Sequence, residues 1–141
     1  LAFLYRAARV AEPAEPIVGF DPDSIARDEA DEDGFMDNIN VLLSPSKDVT
    51  PEQVETTGVQ ELETAGASDI SVEDRVTIAG EESAHLSAQM PLGTDGYTID
   101  QFYVNGEDQT FIVTFSFSSD LSAEERAAVT GPTLASCTWT D

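Results

Sequence analysis

Basic residues are scarce in this sequence, and that scarcity restricts its partners. Its 141 residues contain six Lys plus Arg against 28 Asp plus Glu, which gives a formal net charge of −22 at pH 7. A surface of this sign repels the phosphates of nucleic acids and the headgroups of anionic lipids. We therefore expect no nucleic-acid partner and no membrane contact by this chain itself.

Reactive side chains are almost as rare. Cys137 is the only cysteine, which excludes an internal disulfide and a Cys-x-x-Cys zinc pattern, and we expect it to be a small buried hydrophobe. The only histidine, His85, alternates with Ser83 and Ser87 on the polar side of a predicted strand. Such neighbours on one strand face do not by themselves align a nucleophile with its base. We predict a surface histidine, no catalytic residue and no cofactor, with a small hydrolase or transferase that uses His85 and carboxylates as the alternative.

Long hydrophobic runs are absent as well, since no stretch approaches the ~20 apolar residues that span a bilayer. The apolar fraction of 40% with seven Phe is nevertheless enough for a core, and a chain of this length fits one domain. We predict a single domain over 1–141, with a Pro-rich, partly irregular segment 1–33, a short strand at 17–20 and a core over 34–141. The chain begins at Leu1 rather than Met, so a leader or a lipid anchor upstream of Leu1 is left open.

Four consecutive stretches, 70–78, 83–90, 97–104 and 109–117, alternate apolar and polar residues and predict an antiparallel meander. In the first stretch the residues predicted to share one apolar face are Ile70, Val72, Val76 and Ile78. Asn105-Gly106 between the last two stretches is the strongest hairpin signal in the chain. The last strand has the heaviest apolar face, so we predict that it is central and that helices cover this face.

Two helices and one further strand flank the meander. Alternation over 38–43 predicts a strand. Thr50-Pro51-Glu52-Gln53 combines a capping hydroxyl, a proline in the first turn and a Gln three residues after the cap, which predicts a helix start. Ser122 and Glu125 repeat this capping pattern before a second helix that runs toward Pro132.

Three blocks of residues resemble the PsbP-like superfamily, which includes PsbP and the Ran-binding Mog proteins. The first block is Gly34-Phe35-x-x-Asn38-Ile39-Asn40-Val41, and the second is Val76-x-Ile78-x-Gly80 with Ser83, Ala84 and Leu86 after it. The third is the end of the last helix at Leu134-Ala135-Ser136. Together they cover most of 34–139.

This resemblance implies an α+β fold: an α/β/α sandwich about an antiparallel sheet of about five to seven strands with flanking helices. The chain is most similar in character to small actinobacterial lipoproteins of the LpqN type. The resemblance implies a non-enzymatic, extracytoplasmic or cell-surface accessory or binding protein, with no catalytic residue to transfer. Its partner is then expected to be a protein.

Two other features predict binding. Tyr97, Phe102 and Tyr103 lie near the hairpin ends and form a candidate partner surface. The acidic loop 28–37 has oxygen donors at alternate positions, as calcium loops do, but Asn40 stands where such a loop needs a closing carboxylate. We expect a solvated loop, with calcium-dependent interaction as the alternative.

Overall fold

The computed structural model describes residues 10–11, 24–28, 38–44, 46, 48–92, 95–107 and 109–137. These residues form an antiparallel sheet with a few helices, so the predicted α+β class is confirmed. The strands are β1 (Val10–Ala11), β2 (Ser24–Asp28), β3 (Asn38–Leu43), β4 (Ser68–Ile78), β5 (Glu81–Leu92), β6 (Asp95–Asn105) and β7 (Thr110–Ser118). The helices are α1 (Pro51–Gln53), a π-helical segment (Val54–Gly58), α2 (Val59–Thr64) and α3 (Ala123–Ala135). We call 51–64, which is continuous, the first helix.

The described strands lie in the order β1-β2-β3-β7-β6-β5-β4, and each neighbouring pair is antiparallel. The predicted meander is therefore confirmed as β4 to β7, with β7 central as expected. The predicted strand 38–43 is β3, which pairs with β7. The strand predicted at 17–20 lies outside the described residues. Because β3 and β4 are far apart in the sheet, the first helix carries the chain across one face to the far edge.

Helices cover both faces of the sheet. On one face Val54 and Leu62 of the first helix pack in a cluster with Leu86 and Ile99. On the other face Leu134 of α3 lies in a second buried cluster, whose largest members are Phe102, Phe115 and Phe117. The expectation of one apolar and one polar face is therefore wrong for the central strands. The reason is that β7 contributes apolar side chains to both clusters.

A β-bulge explains why the predicted apolar face of β4 is also wrong. Glu73 pairs with His85, yet Val76 pairs with Ser83, so one extra residue lies between these pairs. An extra residue exchanges the faces of all later side chains, because side chains alternate along a strand. Ile70 accordingly packs with the first-helix cluster and Ile78 with the α3 cluster. Val72, between them, is 48% exposed.

Both predicted helix starts are confirmed as capping boxes. Thr50 Oγ1 accepts a hydrogen bond from the Gln53 amide at 3.2 Å, and Gln53 Oε1 accepts one from the Thr50 amide at 3.0 Å. Ser122 and Glu125 make the same pair of bonds at 3.1 and 2.8 Å. These bonds satisfy amides that have no partner within the helix. Among the helices of the described residues, none combines the length and the hydropathy needed to cross a membrane.

Candidate functional site

A groove lies where the first helix starts to cross the sheet. Its volume is about 460 Å³, which is within the range of small-ligand sites. Its lining residues are Ser44, Ser46, Asp48, Val49, Gln53, Val54, Thr57, Gly58, Glu61, Tyr103 and Ile112. We call this the helix–sheet groove. Its floor is the sheet, one wall is the first helix, and the other wall is the segment that follows β3.

Tyr103 dominates the floor of the groove. It pairs with Ile112 across β6 and β7 and is only 9% exposed. Burial, together with the negative charge of Glu61, raises the pKa of Tyr103 to about 12. No residue among those described forms a hydrogen bond with its hydroxyl, which faces the groove rather than the closed core. The groove therefore presents a protonated phenol as a free donor and acceptor.

The helical wall depends on a glycine. Val54, Thr57, Gly58 and Glu61 recur at helical spacing, so they share the face that the first helix turns to the groove. A Cβ on Gly58 would lie 3.1 Å from Leu86 Cδ1 and 3.9 Å from the Tyr103 hydroxyl oxygen. Gly58 thus lets the helix approach the sheet and leaves space beside the phenol. It ends the π-helical segment, a local widening that occurs often at functional sites.

The opposite wall is held in place by Asn105. Its side-chain amide donates to the Val49 carbonyl oxygen at 2.8 Å, and its Oδ1 accepts from Thr110 Oγ1 at 2.6 Å. The Ser44 amide donates to the Thr110 carbonyl oxygen at 2.8 Å. The hairpin end of β6 and β7 therefore fixes Ser44 and Val49, which line this side of the groove. The Asn105-Gly106 pair, predicted as a turn, also positions the groove.

Among the residues that the structure describes, the charged groups that line the groove are all carboxylates. Asp48 and Glu61 supply them, and no described Lys, Arg or His lines the groove. Arg75 is on the same side of the sheet, but its guanidinium holds Glu55 at 2.7 and 2.9 Å and Glu82 at 2.9 Å. These hydrogen bonds raise the pKa of Arg75. The groove carboxylates consequently have no ion-pair partner among the described residues.

The three aromatic residues predicted to form a partner surface do not lie together. Phe102 is 1% exposed in the α3 cluster, because even-numbered residues of β6 face that helix. Tyr97 and Tyr103 face the opposite side, where Tyr97 packs at the edge of the first-helix cluster. A surface that contains all three is therefore excluded, and Tyr103 alone lines the groove. The sequence alone does not indicate which of these three aromatic residues lines a groove.

His85 occupies a second site, beneath α3. Its Nε2 lies 2.8 Å from Asp100 Oδ1, and Arg126 Nε donates to Asp100 Oδ2 at 2.8 Å. The imidazole stacks on Phe102 with ring centroids 4.3 Å apart. Its side chain is 19% exposed, so the prediction of a surface histidine is wrong. The reason is that α3 covers the strand face that was expected to meet solvent.

The contacts of this His85–Asp100–Arg126 array are those of a structural clamp. Arg126 also donates to the Leu121 carbonyl oxygen at 3.1 Å and reaches Ser87 Oγ at 3.5 Å. Ser83 Oγ donates to the Glu81 carbonyl oxygen at 3.4 Å. Neither serine is hydrogen-bonded to His85, as a nucleophile requires. The array joins α3 to β5 and β6.

The sequence contained a signal for this clamp that was missed. Asp100 shares a face of its strand with Phe102 and Val104, so a carboxylate stood among core positions. A buried carboxylate needs a charged or hydrogen-bonding partner. The partner, Arg126, is 26 residues away, and sequence spacing does not identify such a pair.

The other predicted sites have simple outcomes. Cys137 is 6% exposed, as expected, and burial raises the pKa of its thiol. Of the acidic loop 28–37, the structure describes only Asp28, at the end of β2. In the described ranges, no group of three or more His, Cys, Asp or Glu is arranged to hold a metal ion.

Comparison with known proteins identifies the fold and nothing finer. No protein-family model and no curated protein matches this chain. One similar solved structure is the crystal structure of PA94 from Pseudomonas aeruginosa, described as a protein of unknown function and a candidate regulator. The TM-score is 0.61 at 13% sequence identity, with 95% of this chain and 99% of that chain covered. This likeness extends to the arrangement of helices and strands.

The raised pKa of Tyr103 is directly measurable. We expect the phenol to stay largely protonated at pH 11, where an ordinary tyrosine of pKa about 10 is mostly ionised. The readout is the ¹³Cζ shift of Tyr103, assigned by its loss in Tyr103→Phe. Glu61→Gln is expected to lower the pKa, because a repelling charge is removed, whereas Glu63→Gln on the same helix leaves it unchanged. Half-ionisation of Tyr103 near pH 10 would contradict the geometry described here.

The clamp predicts a pH-dependent stability. Burial alone would raise the pKa of Asp100, but the hydrogen bonds from His85 and Arg126 and the charge of Arg126 outweigh it and lower that pKa. The contribution of Asp100 is therefore complete above the unfolded value of about 4 and is lost as the pH falls through the folded value.

We expect Asp100→Asn to reduce the free energy of unfolding by about 3 kcal/mol at neutral pH, as for one partner removed from a buried ion pair. Urea denaturation should show this difference shrinking as the pH falls below about 4. Asp120→Asn, at an exposed turn, is the control and should show little change at any pH. An Asp100→Asn deficit that is constant between acid and neutral pH would rule out this account.

Proposed function

We propose that this chain is a non-enzymatic binding protein whose binding site is the helix–sheet groove. The observation that carries the proposal is the Tyr103 hydroxyl, which lies in a nine-tenths buried side chain and faces the groove without a hydrogen-bond partner among the described residues. Among the described residues no buried side-chain polar atom lacks a partner, so this hydroxyl is open to the groove. A ligand in the groove can therefore hydrogen-bond to a phenol that no neighbouring side chain occupies.

The proposed cellular role is that of an extracytoplasmic or cell-surface accessory protein. Support comes from the PsbP-like blocks at 34–41, 76–86 and 134–136 and from their resemblance to LpqN-type lipoproteins. An antiparallel sheet with helices agrees with that relationship at the level of fold class. A protein partner fits best, because the strongly negative charge disfavours nucleic acids and anionic lipids. Calcium-dependent interaction through 28–37 stays a prediction.

Photo-crosslinking tests the groove as the binding site. A benzophenone amino acid at Thr57, an exposed residue that lines the groove, should give a discrete crosslinked protein in the cell envelope fraction of the source organism. The same group at Thr64, also exposed and on the same helix but outside the groove, should not. Mass spectrometry of the crosslinked peptides locates the contact. Equal crosslinking from both positions, or none from Thr57, would overturn the proposal.

The alternative function is a small hydrolase or transferase that uses His85. The observation that favours it is the 2.8 Å contact between His85 Nε2 and Asp100 Oδ1, because a carboxylate orients the histidine of many acid–base sites. Against it stand Arg126 on the second carboxylate oxygen and the absence, among the described residues, of a serine bonded to His85. We therefore rank it below binding.

Activity screening separates the two functions. We expect the unaltered protein and His85→Ala to give equal, background rates on chromogenic esters, phosphates and glycosides. Circular dichroism must first show that His85→Ala is folded, with His85→Gln as a milder variant if it is not. Turnover by the unaltered protein that is lost in His85→Ala or His85→Gln would show that the protein is an enzyme and would reject the binding-only function.

A further inference from the structure

The occupant of the helix–sheet groove can be narrowed from the chemistry of its walls. Each wall offers an acceptor: the Glu61 carboxylate on the helix, the Asp48 carboxylate on the opposite segment and the Tyr103 phenol oxygen on the floor. These come from three separate segments of the chain. A ligand group that satisfies all three needs several donors spread in space.

The described residues of the groove also indicate the sign of the charge that its ligand carries. Arg75, a basic residue on this side of the sheet, is held by Glu55 and Glu82, with Glu52 at 3.1 Å from Nη1. Asp48 and Glu61 therefore face the groove with no cation among the described residues. These two carboxylates would attract a cationic ligand group and repel an anionic one.

Part of the remaining lining is apolar. Val49, Val54 and Ile112 supply this part and fit an aliphatic stem, beside the polar residues Ser44, Ser46, Gln53 and Thr57. Lys and Arg both join such a stem to a cationic head. Arginine fits better, because its planar guanidinium presents five donors in a fixed fork and is more weakly hydrated than an ammonium.

We infer that the helix–sheet groove binds an arginine side chain of a partner protein, with the guanidinium between Glu61, Asp48 and the Tyr103 hydroxyl. This inference rests on the proposed binding function and specifies its ligand. The stem lies against Val54 and Ile112. The space left by Gly58 admits the head beside the phenol.

Titration of the ¹⁵N-labelled chain with N-acetyl-arginine amide tests the inference. A ligand of this size is expected to bind with a dissociation constant on the order of 1 mM, with the largest shift changes at the Gly58 and Tyr103 amides. N-acetyl-citrulline amide has nearly the same shape without the charge and should bind at least about tenfold more weakly. N-acetyl-lysine amide should bind about threefold more weakly or worse, for lack of the fork.

Matched variants distinguish the groove from general attraction to an acidic protein. Glu61→Gln should weaken arginine binding at least about fivefold, and Glu63→Gln, which removes the same charge from the same helix outside the groove, less than twofold. Tyr103→Phe should weaken binding severalfold while the spectrum stays that of the folded chain. Equal weakening by Glu61→Gln and Glu63→Gln would overturn the inference.

The outcomes separate this inference from the function beneath it. Citrulline or lysine probes that bind the groove as well as arginine would overturn the arginine assignment and leave the groove as a binding site. Shifts confined to other surfaces would overturn the assignment as well. Failure of Thr57 crosslinking together with loss of all probe binding would reject the binding function itself.

Discussion

Burial on both faces of β7 is the constraint on which the rest of this structure depends. The strand is paired on each side by β3 and β6, so its backbone is satisfied within the sheet. Its side chains then require cover on two sides, with Phe115 and Phe117 under α3 and Ile112 under the first helix. Both helices are therefore required to cover the two faces of the sheet. Each lies where the central strand needs apolar contact.

The two candidate sites differ in how completely a helix covers the sheet. Under α3 the Asp100 carboxylate lies among core residues. Arg126 pairs with one of its oxygens and His85 is hydrogen-bonded to the other, so this side is closed. Beneath the first helix Gly58 and the π-helical segment leave a space above Tyr103. The same layer thus buries Leu86 and Ile99 and also contains the groove. Binding is assigned to the side that remains open.

Local sequence signals were sufficient where local physics decides the structure. Thr50 with Gln53 and Ser122 with Glu125 identify helix starts because their hydrogen bonds span three residues, and Asn105-Gly106 identifies a hairpin for a similar reason. Longer-range features were not accessible. The pairing of Asp100 with Arg126 and the meeting of Tyr103 with Glu61 depend on which face each helix covers. The bulge near Glu73 could not be predicted either, since no residue type in that stretch indicates that β4 contains one extra residue.

Because of that bulge, the edge strand β4 depends more on its number of residues than on which residues it contains. Arg75 occupies the interrupted part of β4, between the pairs made by Glu73 and Val76, and reaches Glu55 on the first helix. Deleting one residue there would restore regular pairing but carry Val76 and Ile78 out of the α3 cluster. Homologous chains should consequently tolerate substitutions in this stretch more readily than a change in its length. A single inserted residue thus links the anchoring of one helix to the core beneath the other.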